Sequence, residues 1–125
     1  MSLGKPSGEP ESLTDPVEIL KTLDEMQIKD VHQIWHMNPE FKDIQQLGDL
    51  IDTVARLEEE AGIRIPEGEI KIPPSISQEY ARSMITDIRF VRLGRAHLLV
   101  QQIVKCDHLK TVGDLLRVVR KLAQI

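Results

Sequence analysis

The residues from Leu47 to Ile72 constrain the fold more than any other stretch of this chain. Leu47, Leu50, Ile51, Val54 and Leu57 recur at the spacing of one face of an α-helix. Asp49 is placed to cap the start, and Asp52 suits the first turn. Gly62 is a natural stop, because glycine enters the left-handed conformation without a Cβ penalty. Ile63 and Ile65 then lead into a turn at Pro66. Glu58, Glu59 and Glu60 crowd the last turn, where the helix dipole favours cations. A sequence accepts that cost either at an ordinary solvated helix end or where the acids serve a partner.

An amphipathic helix of this kind needs others to cover it, and the chain supplies their start signals. Asp15-Pro16-Val17-Glu18 offers a cap, a proline at the first helical position and an acid as capping-box partner. Val17, Leu20, Leu23 and Met26 form its inward stripe. A short helix is expected after Asp30, with Val31, Ile34 and Trp35 inward and Trp35 as a core anchor. Asn38-Pro39 ends that helix and starts another, and Phe41, Ile44 and Leu47 keep helical register. Ser75 or Ser77 caps a long helical run over 77–105 that carries Tyr80, Met84, Ile85, Ile88 and Val91, then Leu98, Leu99, Ile103 and Val104. Gly94 in its middle implies a kink or a close helix crossing. Thr111, with Asp114 three residues on, opens the final helix, whose Val112, Leu115, Leu116, Val119 and Leu122 face inward. Residues 69–72 alternate like a very short strand but have no strand to pair with.

The expectation is an all-α fold, a compact bundle of five or six helices in one domain over residues 14–125. Residues 1–13, rich in Gly, Pro, Ser and Glu, read as a flexible tail. Aromatic residues make up only 3% of the chain, so aliphatic side chains must fill the core, which favours helices over strands. No apolar run reaches the ~20 residues of a membrane span, and no signal peptide is visible. Cys106 is the single cysteine, which excludes an internal disulfide and fits a reducing, cytoplasmic setting.

Charge is divided along the sequence. Residues 1–76 hold 7 Lys/Arg against 16 Asp/Glu, and residues 77–125 hold 9 against 4. The halves of one small domain must meet, so the simplest reading is that they attract each other. The sharper one gives the basic half a face of its own. Arg82, Arg89 and Arg92 lie near one helical face with Arg95 close by, and Lys110, Arg117, Arg120 and Lys121 form a second group. A nucleic-acid-binding domain would use such a stripe, although the sequence pI of about 5.5 and the lack of interleaved aromatic residues speak against it.

Metal or nucleophilic chemistry has few candidates. His32 and His36 stand four residues apart, which places both rings on one face of an α-helix, and Cys106 and His108 could complete four ligands. No Glu follows His32 as in the HExxH motif of zinc proteases. A cysteine nucleophile needs a base, an orienting group and an oxyanion site, and no such constellation is visible. The glycines are scattered, without a phosphate-cradling pattern. The sequence therefore reads as a non-enzymatic chain without a cofactor.

Parts of it resemble the acyl carrier proteins. The similar elements are Phe41, Leu47-Gly48-Asp49-Leu50, Asp52-Thr53-Val54, Leu57-Glu58-Glu59-Glu60, Ile63-Arg64-Ile65-Pro66 and Thr111-Val112-Gly113-Asp114-Leu115-Leu116. The resemblance implies a small bundle whose acidic second helix is read by partner enzymes and whose short last helix closes the core. It also implies a serine carrying phosphopantetheine at the start of that second helix. Aligned on Leu57-Glu58-Glu59-Glu60, that serine falls on Leu47; aligned on Leu47-Gly48, it is deleted. Ser83 precedes Thr111 by a length that would allow attachment, but Ala81-Arg82-Ser83-Met84 lacks the family's aspartate. Residues 75–105 stand where the family has a short linker. The expected function is thus a helical protein-interaction module, carrier-like but without the attachment serine. Glu58, Glu59 and Glu60 would dock a protein partner, and Arg89, Arg92 and Arg95 would face a second partner or a like subunit.

Overall fold

The computed structural model describes residues 14–68, 71–104 and 109–125, leaving out the side chains of Ile103 and Val104. The expected tail at 1–13, Glu69, Ile70, Cys106 and His108 lie outside the described residues. Within them the chain forms five α-helices: α1 (Pro16–Glu25), α2 (Leu47–Ala61), α3 (Gln78–Ile88), α4 (Ala96–Val104) and α5 (Val112–Ala123). Three 3₁₀ helices, Ile28–His36, Pro39–Asp43 and Leu93–Arg95, join them. The fold is all-α, with no β-strand among the described residues. No helix there is long and apolar enough to cross a membrane.

Most helix ends follow the sequence signals. The Asp15 carboxylate accepts a hydrogen bond from the Val17 amide ahead of Pro16, and the Ser77 hydroxyl accepts one from the Tyr80 amide. Thr111 and Asp114 form a capping box. Gly62 ends α2 at φ 71°, the left-handed geometry expected of it. The start of α2 differs from expectation. Gln46 holds the cap position, and Asp49 lies in the first turn, where its carboxylate accepts from the Gln45 and Gln46 amides.

Leu23, Ile34, Phe41, Leu47, Leu50, Val54, Ile88 and Leu115 lie at the centre of one continuous aliphatic core. In it α1 packs on α2 and α5, and α3 packs on α5. The stripe of α1 is turned from the expected one: Ile19, Leu20 and Leu23 are buried, and Val17 is exposed. Trp35 also departs from expectation. It is 42% exposed, and its indole N–H donates to the Ile44 carbonyl at 2.9 Å. The cause is periodicity. Ile28, Val31, Ile34 and Met37 recur every third residue, the repeat of a 3₁₀ helix, and all four are buried. Trp35 falls outside that line, and its polar edge fastens the following turn.

The single run expected over 77–105 is interrupted between α3 and α4. Residues 89–93 instead run antiparallel to the chain entering α2. Leu47 and Gly48 donate their amides to the Val91 and Arg89 carbonyls, and Leu93 donates to Gln45. Gly48 permits this approach, since a Cβ there would stand 3.0 Å from the Arg89 carbonyl oxygen. These bonds satisfy helix-start amides that would otherwise lack partners, which outweighs continuing the helix. Gly94 is not a crossing point, because a Cβ there would meet nothing within 4 Å. A second antiparallel bridge, Gln27 with Thr111, ties the end of α1 to the start of α5.

Part of the divided charge is paired within the molecule. Arg117 pairs with Asp24 at 2.5 Å and with Asp114 at 2.7 Å, Arg120 pairs with Glu58, and Arg89 pairs with Asp52. The acidic and basic halves therefore hold each other, as the simpler charge reading expected. Asp114 makes this pH-dependent. Its partial burial opposes ionisation and is the largest single influence. The hydrogen bonds from Arg117 and from the Lys110 and Thr111 amides together outweigh it and set the pKa below the usual carboxylate value. A folded-state pKa below the unfolded one gives stability that is complete above about pH 4 and lost as pH falls through the folded value. The denaturation midpoint should thus drop in acid below about pH 4, and Asp114→Asn should flatten that decline. Urea titrations of both proteins between pH 6 and pH 2.5 check it.

Candidate interaction surface

The outward face of α2 is set by what its other face buries. Leu47, Leu50, Val54 and Leu57 go to the core, so Asp52, Ala55, Arg56, Glu59 and Glu60 face solvent. Asp52, Ala55 and Glu59 lie three and four residues apart, forming one line along the helix. Ile63, just past the helix, is 44% exposed. Arg56 reaches sideways to Glu40 at 2.5 Å and to Glu60 at 3.0 Å.

Glu58 does not belong to this face. Its side chain is 8% exposed, and both oxygens are engaged. Arg120 donates to Oε2 at 2.9 Å and to Oε1 at 2.5 Å, and the Ile65 amide donates to Oε2 at 2.7 Å. Of the three acids expected to dock a partner, Glu59 and Glu60 are exposed and Glu58 is not. Helical geometry explains the difference, because Glu58 is one residue from Leu57 and four from Val54, on the buried side. Glu58 therefore closes the loop after Gly62 back onto α5.

A basic stretch of chain adjoins the start of α2. Arg89 reaches Asp52 at 2.8 Å, joining the α3–α4 connection to α2. Phe90, beside it, is 69% exposed, the most exposed large apolar side chain described. Arg92 and Arg95 are exposed and have no ion-pair partner among the described residues. The backbone bonds of residues 89–93 hold this group on a fixed edge rather than a free loop.

No family model, curated protein or solved structure matches this chain. The surface is therefore judged on its own chemistry.

Of the suggested metal ligands only His32 and His36 are among the described residues. His32 and His36 are both exposed, on the 3₁₀ helix Ile28–His36. At three residues per turn, four residues leave the side chains about 120° apart, so the one-face pairing of an α-helix is lost. Among the described residues no group of three or more His, Cys, Asp or Glu could hold a metal ion. Ser83 lines a shallow cleft of about 370 Å³ between α3 and α4, with Tyr80, Met84, Asp87, Leu99 and Gln102. Leu47, on which one alignment places the carrier serine, is fully buried.

Sequence reasoning missed Phe90 and Ile63 as surface features. A signal was present for Phe90: with Met84, Ile88 and Val91 turned inward, a helix would have carried it to the opposite side. The interruption at Arg89 has no comparable local mark, since it is imposed by contact with residues more than 40 positions earlier.

Proposed function

We propose that this chain is a non-catalytic helical interaction module that binds protein through the exposed face of α2. The observation that carries the reading is the exposure of Glu59 and Glu60 in a helix fixed on its other side by the core. Acids in a last turn oppose the helix dipole and make no contribution to the core. Glu59 is exposed and Glu60 shares Arg56 at the surface, so both can meet a basic partner surface, and charge placed this way mainly governs encounter rate and partner choice.

The carrier-like aspect enters as part of the same proposal. Its support is the acidic helix, the Gly62 stop and the Thr111–Asp114 box, in the order in which an acyl carrier protein has them. The burial of Leu47 and the seating of Arg89–Val91 over the start of α2 favour a carrier scaffold used for docking without a prosthetic group. A nucleic-acid-binding reading has less support, because Arg117, Arg120 and Arg89 are committed to internal acids. Metal binding through His32 and His36 has less support, because the 3₁₀ helix turns the two side chains apart.

The test is affinity capture from a native extract with the wild-type chain and with Glu59→Lys/Glu60→Lys. These residues are exposed, so the variant should keep the wild-type denaturation midpoint. Partners captured by the wild type should be lost by the variant. Identical capture by both proteins would defeat the acidic-face reading.

A further inference from the structure

We propose that the cleft between α3 and α4 is a docking site for an arginine side chain of a partner protein. It shares no lining residue with the α2 face.

The cleft has a volume of about 370 Å³ and is lined by Tyr80, Ser83, Met84, Asp87, Leu99 and Gln102. Helical spacing brings four of these together: Ser83, Met84 and Asp87 follow Tyr80 by three, four and seven residues, along one side of α3. Met84 is buried and Leu99 half-buried, so the floor is apolar. Tyr80, Ser83, Asp87 and Gln102 are exposed and form a polar rim.

Asp87 selects the charge of the occupant. It has no ion-pair partner among the described residues. It lies in the last turn of α3, where no basic residue offsets it and the helix dipole disfavours a carboxylate. Arg89, the nearest cation along the chain, pairs with Asp52 instead at 2.8 Å. A carboxylate left in this state beside apolar surface is complementary to a cation carried on an apolar stem. Arginine has that form. Its guanidinium forks onto a carboxylate and stacks on an aromatic ring, and its methylene stem packs on apolar surface. In the cleft the guanidinium meets Asp87, with the Ser83 hydroxyl and the Gln102 amide oxygen as further acceptors. The stem rests on Met84 and Leu99, and Tyr80 closes its other side.

The exposed rim favours a protein side chain over a free amine. Small-molecule sites bury most of their ligand, whereas an occupant among four exposed residues keeps much of its surface in water. A side chain delivered by a protein does not depend on the cleft alone, because contacts around Tyr80, 51% exposed, share the binding.

Chemical-shift titration of the isotope-labelled full chain with arginine capped by acetyl and methylamide groups tests the proposal. Saturable shifts are expected at the amides of the lining residues, with a Kd of about 1–10 mM for a single side chain. Asp87→Asn should weaken binding about tenfold or more. That variant removes an acid from an unfavourable helix end, so its thermal midpoint should hold or rise, and lost binding then cannot reflect unfolding. Tyr80→Ala should weaken binding several-fold. Glu59→Lys/Glu60→Lys should bind as the wild type does. Capped citrulline, which keeps the stem and loses the charge, should not bind. No saturable shift up to about 50 mM would overturn the proposal. So would equal binding of capped citrulline, or unchanged binding by Asp87→Asn. Agmatine that binds where capped arginine does not would assign the cleft to a free amine and overturn the protein partner.

Discussion

Glu58→Ala should be among the most destabilising single changes in this protein, lowering unfolding free energy by about 2–4 kcal/mol. The substitution leaves the Arg120 guanidinium partly buried without its counter-ion and the Ile65 amide without an acceptor. Breaking a buried ion pair from one side costs more than the pair's net contribution, because the surviving charge stays desolvated. Arg120 keeps 24% of its side-chain exposure, so water screens part of that loss and the lower end of the range applies in part. Arg120→Met should be similarly damaging. The pair Glu58→Gln with Arg120→Met should recover most of the loss, since glutamine still accepts from Ile65 and methionine fills the alkyl volume. Urea denaturation of the wild type, Glu58→Gln, Arg120→Met and the double variant gives the coupling directly. Additive losses would mean that the two groups do not act as a pair.

This pair changes how the acidic helix end is understood. Three consecutive glutamates look alike in the sequence, yet one locks the fold and two face solvent. Reversing all three to lysine would unfold the chain and appear as lost binding. A binding test must therefore leave Glu58 in place.

The distinction between Glu58 and its neighbours also marks how far the sequence could be read. Helix starts at Asp15, Ser77 and Thr111 and the stop at Gly62 were legible, because caps act through atoms only two to four residues away. So were the buried stripes of α2 and α5, where α-helical period and burial agree. The stretch from Ile28 to His36 was misread because apolar residues every third position were taken with an α-helical period, which turned Trp35 inward and paired His32 with His36. The break at Arg89 was not legible at all. It exists because the amides at the start of α2 donate hydrogen bonds to the Arg89 and Val91 carbonyls, a contact that no local pattern announces. The candidate surface inherits that limit. Glu59, Glu60, Arg89, Arg92 and Arg95 were named from the sequence, but the pairing of Arg89 with Asp52 depends on the break.

Gly113→Ala should destabilise the protein by about 3 kcal/mol, against the normal direction of that substitution in a helix. Gly113 lies in the first turn of α5, and alanine there should favour the helix by up to about 1 kcal/mol if propensity alone decided. Gly113 has no positive φ, so its conformational freedom is not what the site requires. What it lacks is room. A Cβ would stand 2.6 Å from the Asp24 carbonyl oxygen and 2.8 Å from its Cα, and would overlap the carboxylate. Two of these obstacles are backbone, which cannot swing aside as a side chain can. That backbone is held in turn by the Val112 amide donating to Met26 at 2.7 Å and the Ile28 amide donating to Lys110 at 3.0 Å. Relief requires α1 and α5 to separate, which strains both bonds and the Arg117–Asp24 pair. Gly94→Ala is the matched control, because it has open space and no positive φ, and it should be neutral or slightly stabilising. Thermal and urea unfolding of the two variants should therefore shift in opposite directions or differ by several kcal/mol. Equal small shifts would mean that α1 and α5 do not meet as closely as the Gln27–Thr111 bridge requires.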